Sequence, residues 1–376
     1  MNRSKFMVAV LCVIMVLVIS AVQASSQTVK IGMFGPFSGP VADSGLAMAN
    51  AVKMGVEEIN AQGGIKGVGK IEIIAVDSEY NPSVAINAVN KLINREKVVA
   101  LIGDIGSTAT LAAMGVSAKA GIPQISPTSA SPFITQKGNK FFFRTASGDQ
   151  LSGAYAANFA LKDLKAKKIC ILNISDDYGK DGADVVEQTL KKAGTPALFR
   201  GQFTMGDKDF SGLLMKMKEI GPEVVILWGL YFDAANILRQ ASNLGIKFTM
   251  VGCDTLAYPK MIELGGEHAN GAIGITLYCS TDSDPMIQRF AANYKSKYKD
   301  ESDPTTALSY DTIYILAQAI ERTKSTNPTK IRDALYGTDY TGVTGRTTFQ
   351  KTGEPNKDVF PVIIRDGKLV RYFSKK

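Results

Sequence analysis

Short, almost wholly apolar runs recur along this chain, each followed by a longer segment whose apolar residues return every three or four positions. The first run is "VKIGMFG" (29–35). In the segment after it, Met48, Val52, Val56 and Ile59 fall at steps of four, four and three, which is one face of a helix. "IEIIAVDSE" (71–79) leads to Asn81 and Pro82, a capping residue and first-turn proline, and then to an apolar face of Ala85, Ala88, Val89 and Leu92. "VVALIGD" (98–104), "IPQISP" (122–127) and "FFFRT" (141–145) continue the series. After residue 146 the pattern restarts, with "KKICILNIS" (167–175), "ALFRGQF" (197–203), "EVVILWG" (223–229) and "FTMVGCD" (248–254). Strands separated by helices predict parallel sheets covered on both faces. Two such series predict two lobes. Near the C-terminus the pattern breaks, and "VIIRDGKLVRY" (362–372) places Asp-Gly between two strands, a hairpin signal. No proline- or serine-rich linker divides the halves, so several short crossings rather than one tether are expected to join them.

The N-terminus stands outside this pattern. Arg3 and Lys5 precede the apolar run Phe6 to Ile19, and "AVQASSQ" offers a small-residue cleavage site after Ala24. These are the three parts of a secretory signal peptide, and the run falls short of the ~20 residues a membrane span needs. Residues 1–24 are therefore expected to be removed from an exported, soluble protein. The rest is ordinary for a globular chain of 376 residues, 45% apolar and 21% charged, which is long enough for two cores. Loss of Arg3 and Lys5 takes the formal charge from +8 down by two, to +6. No basic block with interleaved aromatics is present, which argues against nucleic acid as a partner.

The candidate chemistry is sparse. Cys12 leaves with the signal; Cys170, Cys253 and Cys279 are widely spaced, allow at most one disulfide and match no metal-ligand spacing. His268, the single histidine, lies in "GGEHANG" and reads as a loop residue. "GIKGVGKI" (64–71) nearly matches a nucleotide-binding loop but ends in Ile71, which cannot hold magnesium, and it follows a helix instead of opening one. It reads as a helix stop and turn. In "SDDYGKDG" (175–182), Asp176 and Asp177 are explained by helix capping, while Tyr178 sits at the carboxyl end of a strand, where open α/β sheets bind ligands. Two hydroxyl-rich loops stand out. In "LIGDIGSTATLAA" (101–113), Ser107 and Thr108 lie where a strand meets a helix, so hydroxyls and backbone N–H groups can converge on an anion. "GIPQISPTSASPFIT" (121–135) adds further donors and carbonyls. A small carboxylate is the expected guest, with no cofactor and no metal.

With these segments in order, the chain resembles the periplasmic leucine/isoleucine/valine-binding protein family, the substrate-binding subunits of branched-chain amino acid ABC importers. The resemblance rests on "VKIGMFGPFSGPVADSG", "GVEEINAQGGIKG", "VVALIGDIGSTAT", "GIPQISPTSASP", "SDDYGKDG", "GDKDFSGLL", "ILRQASNLG" and "TMVGCD". It implies an α/β fold of two doubly wound lobes, a type I periplasmic binding protein, joined by three crossover strands near 144–145, 276–279 and 347–349. Lobe 1 would comprise 25–145 plus 279–348, and lobe 2 would comprise 146–278 plus 349–376. It further implies that Ser107, with Thr108 beside it, holds a ligand carboxylate, that Thr128 offers its backbone, that Asp254 meets the ligand ammonium, and that Tyr178 walls the cleft. This chain departs from the family at Ala130, where a threonine is usual, at Ser44 in place of a tyrosine, and at Leu230, where the tyrosine is displaced to Tyr231. The family's first disulfide falls on Tyr80 and Gly106 and is lost. Ser44 is expected to widen the side-chain end of the pocket.

The resemblance implies a periplasmic monomer that captures an amino acid and hands it to an inner-membrane permease and its ATPase. An aromatic or keto carboxylic acid is the alternative ligand, and a ligand-sensing receptor the alternative role. For an α/β enzyme, no nucleophile–base pair can be assembled from the sequence.

Overall fold

The computed structural model describes residues 28–373, and the segment expected to be a signal peptide, Cys12 included, lies outside the described residues. The first sheet is wholly parallel, in the order β2-β1-β3-β4-β5. Its strands are β1 (Val29–Gly35), β2 (Ile71–Asp77), β3 (Ala100–Ile102), β4 (Gln124–Ser126) and β5 (Phe142–Arg144). Side chains alternate across it as the pleat requires. Val29, Ile31 and Met33 of β1 face one core with Met48, Val52, Val56 and Ile59 of helix Ala42–Ala61. Phe34 faces a second core with Ala85, Ala88, Val89 and Leu92 of helix Pro82–Asn94. The Asn81 side chain caps that helix, accepting from the N–H of Ser83 and Val84, as the Asn-Pro pair predicts. The core on the first face is completed from far along the chain, by Ile313, Leu316 and Ile320 of helix Pro304–Thr323.

The second sheet runs β14-β13-β10-β9-β8-β6-β7. It contains β6 (Ile169–Ile174), β7 (Phe199–Phe203), β8 (Val224–Trp228), β9 (Thr249–Gly252) and β10 (Ile273–Thr276), all parallel to their neighbours. The hairpin of β13 (Phe360–Arg365) and β14 (Lys368–Arg371) joins it antiparallel. Asp366 and Gly367 both take positive φ at its turn, the backbone that a two-residue loop demands. A separate ribbon pairs β11 (Asp339–Gly342) with β12 (Gly345–Thr348). The chain passes between the sheets three times, after β5, after β10 and after β12.

The "GIKGVGKI" segment is a turn. Gly63, Gly64, Gly67 and Gly69 have positive φ, Ile65 pairs with Gly69, and β2 follows. A Cβ on Gly64 would stand 2.5 Å from the Gly69 carbonyl oxygen, so the turn closes on its own backbone and requires glycine there. His268 sits in the short turn Gly266–Ala269, beside Ile246 and Phe248.

At the first crossing the two lobes are knotted by an ion pair. Arg144, fully buried at the end of β5, donates from Nε to Glu354 Oε2 at 2.8 Å and from Nη1 to the carbonyls of Ser129 (3.2 Å) and Ser131 (2.8 Å). Glu354 in turn accepts from Gly148 N–H at 3.0 Å and from Thr135 Oγ1 at 2.9 Å. One guanidinium thus ties the first crossing, the third crossing and the 126–131 loop together.

Candidate functional site

In each sheet the strand order reverses once, between β1 and β3 in the first and between β6 and β8 in the second. Loops diverge at such points and leave a crevice at the carboxyl ends of the strands. The two crevices face each other across a cavity of about 60 Å³. Its walls come from the segments after β1 (Val41, Ser44), β2 (Tyr80), β3 (Ile105 to Ser107) and β4 (Thr128) on one side. On the other they come from those after β6 (Tyr178), β8 (Leu230, Tyr231) and β9 (Asp254, Thr255, Tyr258). Thr305, at the start of its long helix, closes one edge.

Five residues singled out from the sequence, Ser107, Thr128, Tyr178, Tyr231 and Asp254, therefore meet in one cavity. Ser107 opens helix Ser107–Ala120, whose first N–H groups have no partners within the helix. Its hydroxyl oxygen accepts from Ser131 N–H at 3.2 Å, which leaves the hydroxyl proton free for an anion. The Thr128 hydroxyl donates to the Ile105 carbonyl at 3.2 Å, so only its backbone remains for a guest. Burial pushes the Asp254 carboxyl up to about 6, against the neighbouring N–H groups and the Tyr178 hydroxyl, which favour the anion. The cavity thus has an anion-binding side and an acidic side.

Thr108 and Ala130 lie elsewhere. The Thr108 hydroxyl accepts from Asp177 N–H, 3.3 Å away across the cleft, and so joins the lobes. Ala130 lines a smaller adjoining cavity with Thr128 and Asp254. Three other hydroxyls of the two loops, those of Thr110, Ser126 and Ser129, are internal braces. Ser126 and Ser129 donate to the Asp104 carbonyl at 2.6 and 3.0 Å, Thr110 reaches it at 3.3 Å, and Gln124 Nε2 donates to Gly103 at 2.8 Å. They hold the turn that presents Ser107.

Ser44 and Tyr231, from opposite lobes, line the same cavity. Tyr231 also stacks on Tyr258, with centroids 5.7 Å apart, and Tyr258 bonds to Thr305 Oγ1 at 2.5 Å across the lobes. Tyr258 and Thr305 escaped the sequence reading; an aromatic four residues after Asp254 was the one local signal. Tyr80 covers Gly106, where a Cβ would stand 2.4 Å from the ring, and its hydroxyl donates to Asp176 at 3.2 Å in the other lobe. Asp176 also caps helix Asp177–Lys192 by accepting from Gly179 N–H at 2.8 Å, the role expected of it. Ser131 bonds to Asp181 of the same helix.

Cys170, Cys253 and Cys279 are buried free thiols, and Cys253 donates to the Gly229 carbonyl. Among the described residues, no group of three or more His, Cys, Asp or Glu is placed to hold a metal, and no helix is long and apolar enough to cross a membrane.

A family model described as periplasmic binding protein matches residues 28–368. The chain is 29% identical over 331 residues to the leucine-, isoleucine-, valine-, threonine- and alanine-binding protein of Pseudomonas aeruginosa, covering 88% of both chains. The Leu/Ile/Val-binding protein of Escherichia coli is also 29% identical, over 88% of this chain and 89% of its own. Among solved structures, a branched-chain amino acid transporter substrate-binding protein of Streptococcus pneumoniae, in complex with isoleucine, superposes with a TM-score of 0.84 at 30% identity, over 91% and 98% of the two chains. A solute-binding protein of Rhodopseudomonas palustris in complex with 3,4-dihydroxybenzoic acid superposes equally well, at 0.84, over 92% and 95% of the chains; at 21% identity that likeness is one of fold.

Proposed function

Because the chain belongs to the periplasmic binding protein family, we propose that it is the solute-capturing subunit of an ABC importer, closing its two lobes over a small amino acid, branched-chain or related. The observation that carries this reading is the polarity of the cavity. Ser107 at a helix N-terminus stands on one wall and Asp254 on the other, suited to the carboxylate and the ammonium of one zwitterion. Val41, Ile105 and Leu230 supply an apolar surface for the side chain. On this reading the signal peptide directs the chain to the periplasm, where it works as a monomer, binds without turnover and delivers its ligand to a permease with its ATPase. Lobe 1 is then 25–145 plus 279–348 and lobe 2 is 146–278 plus 349–376, hinged at the three crossings. An aromatic or keto acid is the second reading, favoured by the four tyrosines (Tyr80, Tyr178, Tyr231, Tyr258) around the cavity.

A calorimetric panel of leucine, isoleucine, valine, alanine, their 2-keto acids and benzoate tests both readings. Tight binding of an amino acid, recovered chemically unchanged, is the expected result. Ligand at a hundred times its Kd should add about 2.7 kcal/mol of apparent stability in a thermal-shift measurement. Binding of benzoate alone would transfer the assignment to the second reading, and conversion of any ligand would end the claim of binding without turnover.

A further inference from the structure

The smaller cavity behind the cleft shares Thr128 and Asp254 with it; Ala130, Asp149, Ser152 and Cys253 also line it, and apolar side chains such as Ile275 and Leu308 make up much of the rest. Its water-accessible space is about 20 Å³, enough for one water-sized group, since a single water needs at least ~10–15 Å³. An ammonium group is of that size. Asp149, 2% exposed, begins helix Asp149–Lys162, and its N–H donates to the Ala130 carbonyl at 2.8 Å. The binding loop and this acid are therefore in direct contact. Asp149 Oδ2 nevertheless completes no hydrogen bond, and the donor turned toward the carboxylate is the neutral indole N–H of Trp228, itself otherwise unpartnered.

The charges around it make that arrangement informative. Arg144 and the Trp228 indole N–H favour the Asp149 anion; Asp254 and Asp181 oppose it, and burial pushes its carboxyl well above the usual range. The Arg144 guanidinium is committed to Glu354. The N-terminal dipole of its helix accounts for an acid at this position, but together with the neutral Trp228 N–H it leaves the carboxylate without a cation of its own. A buried carboxylate oxygen facing a second carboxylate across a small space lacks a cation, since unpaired buried charge is costly.

We propose that Asp149 and Asp254 together form a two-carboxylate seat for the ammonium group of the ligand. Asp149 supplies the acceptor that Ala130, lacking a hydroxyl, cannot. The inference rests on the reading of the ligand as a small amino acid, and it deepens that reading. The site selects α-amino acids against keto and aromatic acids of equal shape, because an anion without an ammonium would leave both carboxylates unpaired.

The test is calorimetry on the wild-type protein, Asp149→Asn and Asp149→Ser. The ligands are the tightest amino acid of the panel and the 2-keto acid with the same side chain. Serine is well tolerated at a helix start, so one variant should fold even where the other does not. Both variants should lose about ten- to a hundredfold in affinity for the amino acid, the scale of one hydrogen bond to a charged group, and lose none for the keto acid. Equal losses for both ligands would reduce Asp149 to a structural part and overturn the proposal. So would an unchanged amino acid affinity in a variant series where Asp254→Asn abolishes binding, and that result would leave the proposed function standing. Failure of the wild-type protein to bind any amino acid of the panel would overturn the functional reading itself.

Discussion

Replacing Arg144 by methionine should be the most damaging single change at the crossings between the lobes. The side chain is fully buried, and its partner Glu354 is 9% exposed. In Arg144→Met, Glu354 keeps only two neutral donors, Gly148 N–H and Thr135 Oγ1, and the carbonyls of Ser129 and Ser131 lose their charged donor. Breaking one side of a buried pair costs about 3–5 kcal/mol because the other charge is left uncompensated. Glu354→Gln should cost less, since an amide oxygen in the Oε2 position still accepts from Thr135 and Arg144 Nε, only the Gly148 N–H loses its acceptor, and the guanidinium retains two carbonyls. The double variant Arg144→Met with Glu354→Met should recover more than half of the single loss, because apolar pairs of similar volume replace buried ion pairs nearly neutrally. Urea unfolding followed by circular dichroism and by the fluorescence of Trp228, the one tryptophan, measures all three, and coincident transitions justify a single free energy. A loss below about 1 kcal/mol for Arg144→Met, or strict additivity in the double variant, would refute the role assigned to the pair.

Ser107→Ala should weaken ligand binding about ten- to a hundredfold, matching a hydrogen bond to a charged group worth roughly 1.5–3 kcal/mol, and calorimetry reads the change directly. The helix N–H groups survive that substitution, so total loss of binding would contradict it. Asp303 accepts from Thr306 N–H at 2.7 Å as the cap of its helix, yet desolvation pushes its carboxyl up to about 7. Its folded value lies above the unfolded one of ~3.9, so its contribution to stability is complete below about pH 4 and is lost as pH rises through about 7. Asp303→Asn keeps the cap and removes the charge. Between pH 5 and pH 8 its loss of stability should therefore be smaller than wild type by roughly 1–2 kcal/mol, allowing for solvent screening. Parallel melting curves of the two proteins across that range would exclude it.

Elements built from local signals were legible in the sequence. β1 coincides with "VKIGMFG", and the Asn81–Pro82 cap sits where the residue types place it, since both depend on neighbours in the chain. β10 escapes a sequence reading, because Ile-Gly-Ile-Thr has too few large apolar residues to carry a period of its own, and the β11–β12 ribbon is too polar to announce itself. Helix Pro304–Thr323 is buried on most of its circumference, which blurs any single face. For the site, residues at strand ends could be named in advance because parallel sheets put ligands there. Thr110, Ser126 and Ser129 looked like ligand donors but are spent on the Asp104 carbonyl, a distinction that only the three-dimensional packing makes. Tyr258 and Thr305 meet across 47 positions of sequence, and Asp149 becomes conspicuous only once its buried carboxylate is seen to lack a cation of its own.

The packing of Tyr80 on Gly106 makes the two positions inseparable in inheritance. Any side chain at 106 would put its Cβ 2.4 Å from the tyrosine ring, which cannot yield freely while its hydroxyl is held by Asp176. A smaller residue at 80 leaves the glycine bare and removes a wall of the cleft. The cysteine pair that the family resemblance implies for these positions is therefore not one step away in either direction. The intermediate with cysteine only at 106 is overpacked, and the one with cysteine only at 80 leaves a void and a lone thiol beside the ligand. A lineage moving between the cross-linked and the ring-covered form must change both codons nearly together or pass through a handicapped ancestor. The two arrangements should accordingly sort into separate branches, each with both partners or neither.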